Sequence, residues 1–177
     1  MTKIADRDII IPNEVDFFIE KGKIEVKGPL GRNELLLNPE VKIIRQENKL
    51  VFIKLKKKII TGTFNSLIYN MIQGVTTGYK KILEIKGTGY NVTKVDNNLI
   101  LRLGRANNDN IHIPLSLGVK VERNKIIITG VDKQKVSLFA ANIRDLRRPN
   151  IYKKDKGIYY LGEKIKIKIK KKGKGAG

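Results

Sequence analysis

The sequence contains no cysteine, one histidine and no long apolar run, and each absence excludes a class of protein or site. Without cysteine the chain can form no disulfide, thiolate zinc site or cysteine nucleophile. The single histidine, His112, has no cysteine and no bracketing pair of acids near it in the sequence, so it predicts no metal site. No run of 18 apolar residues occurs, so no transmembrane helix is predicted. We expect neither a secretory signal nor an organellar transit peptide, because Asp6 and Asp8 interrupt a short first segment.

Acidic residues are also few, and this imbalance is the strongest functional signal in the sequence. The chain has 37 Lys and Arg against 17 Asp and Glu, a formal net charge of +20. Such self-repulsion calls for an anionic partner, which could be nucleic acid, an anionic membrane or an acidic protein. Residues 147–177 hold twelve of the cations and two acids, which is half of the net charge. The sequence therefore predicts that a polyanion binds the C-terminal end, with a solvated lysine tail as the alternative.

Short apolar runs separated by Gly, Asn and Pro predict many strands, and two stretches have helical period. The first predicted helix is Thr63–Ile72, with Gly74 as the glycine just past its end. The second is Lys133–Arg147, with Asp132 as N-cap and Pro149 ending it. The predicted strands are Asp8–Ile11, Asp16–Ile19, Lys23–Lys27, Glu34–Leu37, Val41–Arg45, Lys49–Lys54, Lys81–Lys86, Tyr90–Val95, Leu99–Leu103, Ile111–Pro114, Val119–Glu122 and Lys125–Thr129.

The two halves of the sequence resemble each other. Each contains strands, a glycine turn, more strands and then one helix, with short matching triplets in the same order. The matching triplets are Leu30–Arg32 with Leu103–Arg105, and Asn48–Leu50 with Asn124–Ile126. Two copies of this length indicate duplicated domains rather than a solenoid. We predict an α+β protein of two tandem similar domains, residues 1–78 and 79–177, each a small, mostly antiparallel sheet with one main helix packed on it.

Two glycine-rich motifs resemble nucleotide-binding loops but lack what such loops require. Gly87–Tyr90 would need a helix directly after it, and the following residues alternate as a hairpin instead. We therefore interpret it as a β-bulge or a close backbone approach. Gly28–Arg32 lacks the Gly-Lys-Ser/Thr ending and predicts a turn between strands. No nucleophile, base and orienting group come together in the sequence, so we predict no enzyme and no cofactor.

The basic C-terminal segment is the candidate RNA site. Arg144, Arg147 and Arg148 exceed what capping of a helix C-terminus requires, and guanidinium groups suit phosphate oxygens. Lysines mixed with three tyrosines and a glycine follow in a flexible loop, where the rings could stack on bases or pack back on the sheet, or both. The run Lys164–Lys170 predicts a strand with an aliphatic face and a lysine face. The predicted RNA-binding residues are Arg144, Arg147, Arg148, Tyr152, Lys153, Lys154, Lys156, Gly157, Tyr159, Lys164, Lys166 and Lys168.

Nearly the whole chain resembles the family of the sixth protein of the large ribosomal subunit, in its bacterial and organellar form. Val26–Gly31 is similar to the family's VKGPxG turn, and Gly62–Tyr90 to its GTxxxLxxNMxxGVTxGxxKxLEIxGxGY stretch. Gly130–Arg144 is similar to its GIDKQxVxxxAAxIR helix. The family's PExYKGKGI signature corresponds to Pro149–Ile158, where Lys154 and Asp155 replace a single Gly and lengthen the loop by one residue.

The resemblance implies a structural protein of the large ribosomal subunit that binds large-subunit rRNA, chiefly through its C-terminal domain. It also implies a position near the sarcin–ricin loop, where elongation factors dock transiently, with neighbouring ribosomal proteins as further partners. No membrane or small-molecule substrate is expected. The abundance of Lys, Ile and Asn indicates an AT-rich genome, so we expect the ribosome of a mitochondrion or plastid, or otherwise a bacterial cytoplasm. The alternative function is a free-standing basic regulator that binds RNA or DNA.

Overall fold

The fold is described from a computed structural model that covers residues 9–20, 22–37, 42–46, 49–53, 58–150 and 156–165. Contacts divide the chain into two compact units, which are described separately. The first comprises Met1–Tyr79 and Gly130–Gln134, and the second Lys80–Thr129 and Lys135–Gly177. Within the covered ranges, no helix combines the length and the apolar character needed to span a membrane.

The first unit contains two three-stranded sheets and one long helix. Its elements are β1 (Ile9–Ile10), β2 (Asp16–Glu20), β3 (Lys23–Gly28), β4 (Gly31–Leu36), β5 (Lys42–Gln46), β6 (Lys49–Ile53) and α1 (Lys58–Thr76). The sheets have the strand orders β2-β3-β4 and β1-β6-β5, and their neighbours pair antiparallel. The β3–β4 turn consists of Pro29 and Leu30, as the sequence predicted.

Helix α1 packs on β3 and β4 and closes the core of the first unit. Apolar side chains alternate inward along the strands and recur at helical spacing along α1. Buried together are Ile9, Ile11, Val15, Phe17, Ile24, Val26, Ile68, Met71, Ile72 and Val75. Alternation in the strands and an i, i+3, i+4 stripe on the helix are therefore what assemble this unit.

The predicted bounds of α1 were wrong, because the helix continues through Gly74. A Cβ on Gly74 would lie 2.0 Å from the carbonyl oxygen of Val131, so this glycine permits a close backbone approach and does not end the helix. The residue with left-handed backbone past the helix end is Gly78, with φ of 72°. Its N–H and that of Thr77 both donate to the Gln73 carbonyl, at 3.2 and 2.9 Å.

The second unit repeats this plan and adds one strand. Its elements are β7 (Tyr79–Lys86), β8 (Asn91–Val95), β9 (Asn98–Arg102), β10 (Asp109–His112), β11 (Leu117–Glu122), β12 (Lys125–Gly130), α2 (Lys133–Leu146) and β13 (Gly157–Tyr160). The sheets have the orders β10-β9-β8 and β11-β12-β7-β13. The predicted hairpin after Tyr90 is confirmed: Val95 pairs with Asn98 across a two-residue turn in which Asp96 has φ of 50°.

Helix α2 begins where the sequence predicted. The Asp132 carboxylate accepts the backbone N–H of Gln134 at 2.8 Å, which is an N-cap bond. Val136, Phe139, Ala140 and Ile143 are buried on one face, at i, i+3, i+4 and i+7. They join Leu83, Ile85, Leu99, Leu101, Ile126, Ile128 and Ile158, all fully buried. His112 ends β10 with an exposed ring, and its Nδ1 lies 3.2 Å from Asn98 Oδ1.

The duplication seen in the sequence is present in the topology. In the described parts of the chain, each unit has six strands followed by a helix. Strands β1, β6 and β5 correspond in order to β7, β12 and β11, while β2-β3-β4 corresponds to β8-β9-β10. The predicted class, α+β with two similar, mostly antiparallel domains, is confirmed. Of the predicted strand Lys164–Lys170, Lys164 and Ile165 lie outside any strand, and the remainder falls outside the described residues.

Candidate nucleic-acid interface

A positively charged cleft of about 530 Å³ opens beside the C-terminal end of α2. Four cations and one carboxylate line it, together with one aliphatic and one amide side chain. The lining residues are Arg105, Asp145, Leu146, Arg147, Arg148, Asn150 and Lys156. The cations come from three places in the sequence, and the two at the end of α2 outweigh the partial negative charge of the helix C-terminus. A cleft with this charge concentrates anions, and guanidinium groups can hold phosphate oxygens.

The backbone around the cleft is fixed by hydrogen bonds on both sides of residues 151–155. The N–H of Arg147 donates to the Arg144 carbonyl at 3.3 Å as the helix ends, before Pro149. The Arg147 carbonyl accepts the N–H of Ile158 at 2.9 Å, which joins the helix end to β13. Asn150 donates its N–H to the Lys156 carbonyl at 3.1 Å. The two ends of this segment are therefore held together.

Gly157 allows this close approach. Its φ is 137°, and a Cβ there would lie 2.6 Å from the Cα of Pro149 and 3.0 Å from the Arg148 carbonyl oxygen. The residue is buried. The structure thus gives Gly157, a predicted RNA-binding residue, a definite role in bringing β13 against the helix exit.

Two of the arginines are anchored within the second unit by neutral oxygen atoms. The Arg105 Nη2 donates to the Leu146 carbonyl at 2.9 Å, satisfying an acceptor at the helix C-terminus. Its Nη1 lies 3.7 Å from Asp109 Oδ1. The Arg147 Nε donates to the Tyr90 hydroxyl at 3.1 Å. These partners orient both guanidinium groups, and both residues line the cleft.

Arg148 is paired with the one acid in the cleft. Its Nε donates to Asp145 Oδ1 at 2.9 Å, and both side chains remain exposed. This hydrogen bond lowers the pKa of the Asp145 carboxyl and raises the pKa of Arg148, so both are charged at neutral pH. Asp145 therefore offsets part of the cleft's positive charge.

Arg144, the first arginine of the predicted cluster, is engaged inside the unit. Its Nη2 donates to Glu163 Oε1 at 2.5 Å, and its guanidinium carbon lies 5.2 Å from the centre of the Tyr160 ring. The other Glu163 oxygen accepts the Tyr160 N–H at 3.0 Å. Arg144 is about a quarter exposed and its Nε is buried without a hydrogen-bond partner. These contacts tie α2 to the turn after β13.

The other predicted residues are not gathered into the cleft. The Tyr159 ring is partly buried under the Lys86 ammonium group, 5.3 Å from the ring centre, so it packs on the sheet. Lys164 is exposed. Tyr152, Lys153, Lys154, Lys166 and Lys168 lie outside the described residues. The predicted RNA contacts of all these side chains stay predictions.

Arg105 is the one cleft cation that was not among the predicted RNA-binding residues. It stands in the Leu103–Arg105 triplet, where it marked the internal repeat, and only the fold brings it to α2, 41 positions away. A signal was present, because a basic residue follows the glycine of the triplet in both copies, Arg32 at the start of β4 and Arg105 in the bend after β9. Among the described residues no group of three His, Cys, Asp or Glu side chains could hold a metal ion.

The cleft has the charge expected of a protein class that binds a polyanion, because its cations come from separate elements and converge on one opening. Comparison with known proteins agrees with this class. A model of the Ribosomal protein L6 family matches residues 86–160, which include all four cleft cations.

Similarity to individual proteins extends over nearly the whole chain. The large ribosomal subunit protein uL6 of Thermosipho africanus is 39% identical over 183 residues, covering 94% of this chain and 97% of that protein. The uL6 of Mycoplasmoides gallisepticum is 42% identical, with 93% of each chain covered. The protein uL6m of Reclinomonas americana is 40% identical, covering 94% and 97%. The chain therefore belongs to the ribosomal protein L6 family, the uL6 proteins of the large ribosomal subunit. This family is structural and not enzymatic, which confirms the predicted absence of catalysis.

Proposed function

We propose that the chain binds large-subunit rRNA through the cationic cleft, near the sarcin–ricin loop where elongation factors dock transiently. The observation that carries the proposal is the convergence of Arg105, Arg147, Arg148 and Lys156 on one opening. The position near the sarcin–ricin loop rests on the family resemblance. Neighbouring ribosomal proteins are the other proposed partners.

The proposed mechanism is scaffolding. Lys and Arg side chains neutralise rRNA phosphates and release condensed counterions, and this supplies most of the affinity. The two sheets and the anchored helix exit hold these charges in a fixed register, which sets orientation on the RNA. No covalent bond is made or broken.

Salt dependence tests whether the cleft contacts phosphates. We expect the triple variant Arg147→Gln, Arg148→Gln, Lys156→Gln to bind large-subunit rRNA more weakly and with a flatter salt dependence. Each lost contact should reduce the slope of log K against log[salt] by roughly 0.7 to 0.9. The readout is filter binding of full-length chain to deproteinised large-subunit rRNA across a salt series.

A matched control variant separates the effect of the cleft cations on binding from the effect of net charge. Lys80, Arg102 and Arg123 are exposed cations of the same unit that do not line the cleft. The variant Lys80→Gln, Arg102→Gln, Arg123→Asn removes the same charge and should keep a steeper slope than the cleft variant. Equal slopes for the two variants would contradict the proposed site. Loss of wild-type chain from large subunits washed at high salt would instead favour a free-standing regulator.

The absence of cysteine makes the position on the rRNA directly measurable. A single Asn150→Cys substitution would carry an iron–EDTA tether at the cleft, and Asn107→Cys would carry it on an exposed surface outside the cleft. We expect hydroxyl-radical cleavage from position 150 to concentrate at the sarcin–ricin loop and its flanking helices. Cleavage confined to other rRNA regions would refute that part of the proposal.

For localisation we propose the ribosome of an organelle, supported by the Lys-, Ile- and Asn-rich composition. The relatives compared include bacterial uL6 proteins and uL6m of Reclinomonas americana. Mass spectrometry of ribosomes purified separately from the organelles and from the rest of the source cells would test this. Recovery only outside the organelles would contradict it.

A further inference from the structure

The Gly87–Tyr90 turn holds an aromatic ring between two glycines. The Tyr90 N–H donates to the Gly87 carbonyl at 3.2 Å and closes the turn. A Cβ on Gly87 would lie 2.7 Å from Cδ2 of the Tyr90 ring, and a Cβ on Gly104 would lie 2.9 Å from Cε1 on the opposite edge. Both glycines have positive φ, 146° and 70°. The ring therefore occupies a slot that any larger residue at either position would obstruct.

The slot directs the Tyr90 hydroxyl at the cationic cleft. That hydroxyl accepts the Arg147 Nε–H at 3.1 Å, while Arg147 itself is exposed and lines the cleft. A bond at Nε fixes the plane of the guanidinium group and leaves its two terminal nitrogen atoms as donors. In the first unit the glycine of the matching triplet, Gly31, faces the aliphatic side chain of Val131. The slot that ends in a hydroxyl is thus a feature of the second copy.

We propose that Tyr90 is a positioning residue that presets the Arg147 guanidinium for a backbone phosphate of RNA. The proposal rests on the proposed function of the cleft, and it gives a role to a motif that the sequence explained only as a β-bulge or a close backbone approach. An unrestrained arginine loses side-chain conformational entropy when it binds. The hydrogen bond to Tyr90 already restricts Arg147 in the free protein, so less entropy is lost when RNA binds. Restraint of one such side chain corresponds to about a 2- to 10-fold gain in affinity.

The test is Tyr90→Phe, which keeps the ring in its slot and removes only the hydroxyl. We expect the variant to unfold at the wild-type temperature and to bind large-subunit rRNA about 2- to 10-fold more weakly. In the free protein, the Arg147 ¹H–¹⁵Nε resonance should shift and exchange faster with water. In an Arg147→Gln background, Tyr90→Phe should cause no further loss. The control Tyr79→Phe removes a hydroxyl that donates to the Asn70 carbonyl in the first unit, and it should leave RNA affinity unchanged.

The outcomes separate the two proposals. Wild-type affinity in Tyr90→Phe, or an equal loss with and without Arg147, would overturn the positioning role. An unchanged Arg147 resonance would overturn it independently of RNA. If Arg147→Gln alone binds rRNA as tightly as wild type, the cleft is not the RNA site. The positioning role then fails as well, even if the Arg147 resonance shows that the bond to Tyr90 exists in the free protein.

Discussion

Replacing Glu163 should destabilise the second unit strongly, because this carboxylate accepts hydrogen bonds from both the Arg144 guanidinium and the Tyr160 N–H. Glu163→Ala leaves the Arg144 guanidinium without its counter-charge and the Tyr160 N–H without its acceptor. Removing one partner of a fully buried ion pair costs about 3–5 kcal/mol. The Arg144 and Glu163 side chains are 26% and 24% exposed. Allowing for solvent screening at that exposure, we expect a loss of about 2–3 kcal/mol.

Thermal and urea unfolding of the full chain, followed by circular dichroism, would measure this loss. For a unit of this size, 2–3 kcal/mol corresponds to a fall in Tm of about 10–20 °C. Glu163→Gln keeps an acceptor for Tyr160 but loses the charge, so its fall should be intermediate. Arg144→Met combined with Glu163→Ala should recover part of the stability, because the unpaired charge is then gone.

An exposed pair supplies the control for this experiment. The Lys120 Nζ lies 2.9 Å from Glu122 Oε1, and the two side chains are 75% and 49% exposed. The lysine lowers the pKa of Glu122 through its hydrogen bond, yet Glu122→Gln should produce no measurable change in Tm. A Glu163→Ala variant that unfolds within about 2 °C of wild type would refute the reasoning, since that shift is well under 1 kcal/mol.

Three other substitutions have expected outcomes. Gly74→Ala should lower the free energy of unfolding by more than about 1 kcal/mol, although Ala normally favours helices, because its Cβ would meet the Val131 carbonyl; a urea midpoint at or above wild type would be inconsistent with that contact. Gly157→Ala should both lower Tm and weaken rRNA binding; a variant with the wild-type Tm and the wild-type rRNA affinity would be contrary evidence. Asp145→Asn should tighten rRNA binding by up to about fivefold, since it removes the carboxylate paired with Arg148; unchanged or weaker filter binding would contradict this.

The sequence was sufficient to predict those parts of the structure that depend on residues close together in the chain. Helix α2, its Asp132 cap and its buried face followed from spacing alone, as did the hairpin after Tyr90. The α+β class followed from alternation and from the order of elements in the two halves. Gly74 shows the limit of such rules, because a glycine near a helix end has the same local signature whether it terminates the helix or admits another segment.

The site was only partly predictable, because its geometry depends on contacts between distant residues. Arg147, Arg148 and Lys156 were selected by local charge, whereas Arg105 reaches the cleft through a contact 41 positions along the chain. Arg144 belongs to the same local cluster, but its partner Glu163 lies 19 positions away and engages it inside the unit. Composition therefore identified the basic end of the chain, and tertiary structure decided how each cation there is used.

Strand β13 makes the segment between Asn150 and Lys156 an insertion with both ends anchored, because this strand follows the six-strand-and-helix repeat and returns beside β7. Lengthening a segment of this size by one residue, the change that the resemblance to the family signature implies, costs at most a few tenths of a kcal/mol. Changes in length at this position are therefore nearly neutral for folding. The hydrogen bonds at Asn150 and Ile158 thus fix where the segment begins and ends, whatever the number of residues between them.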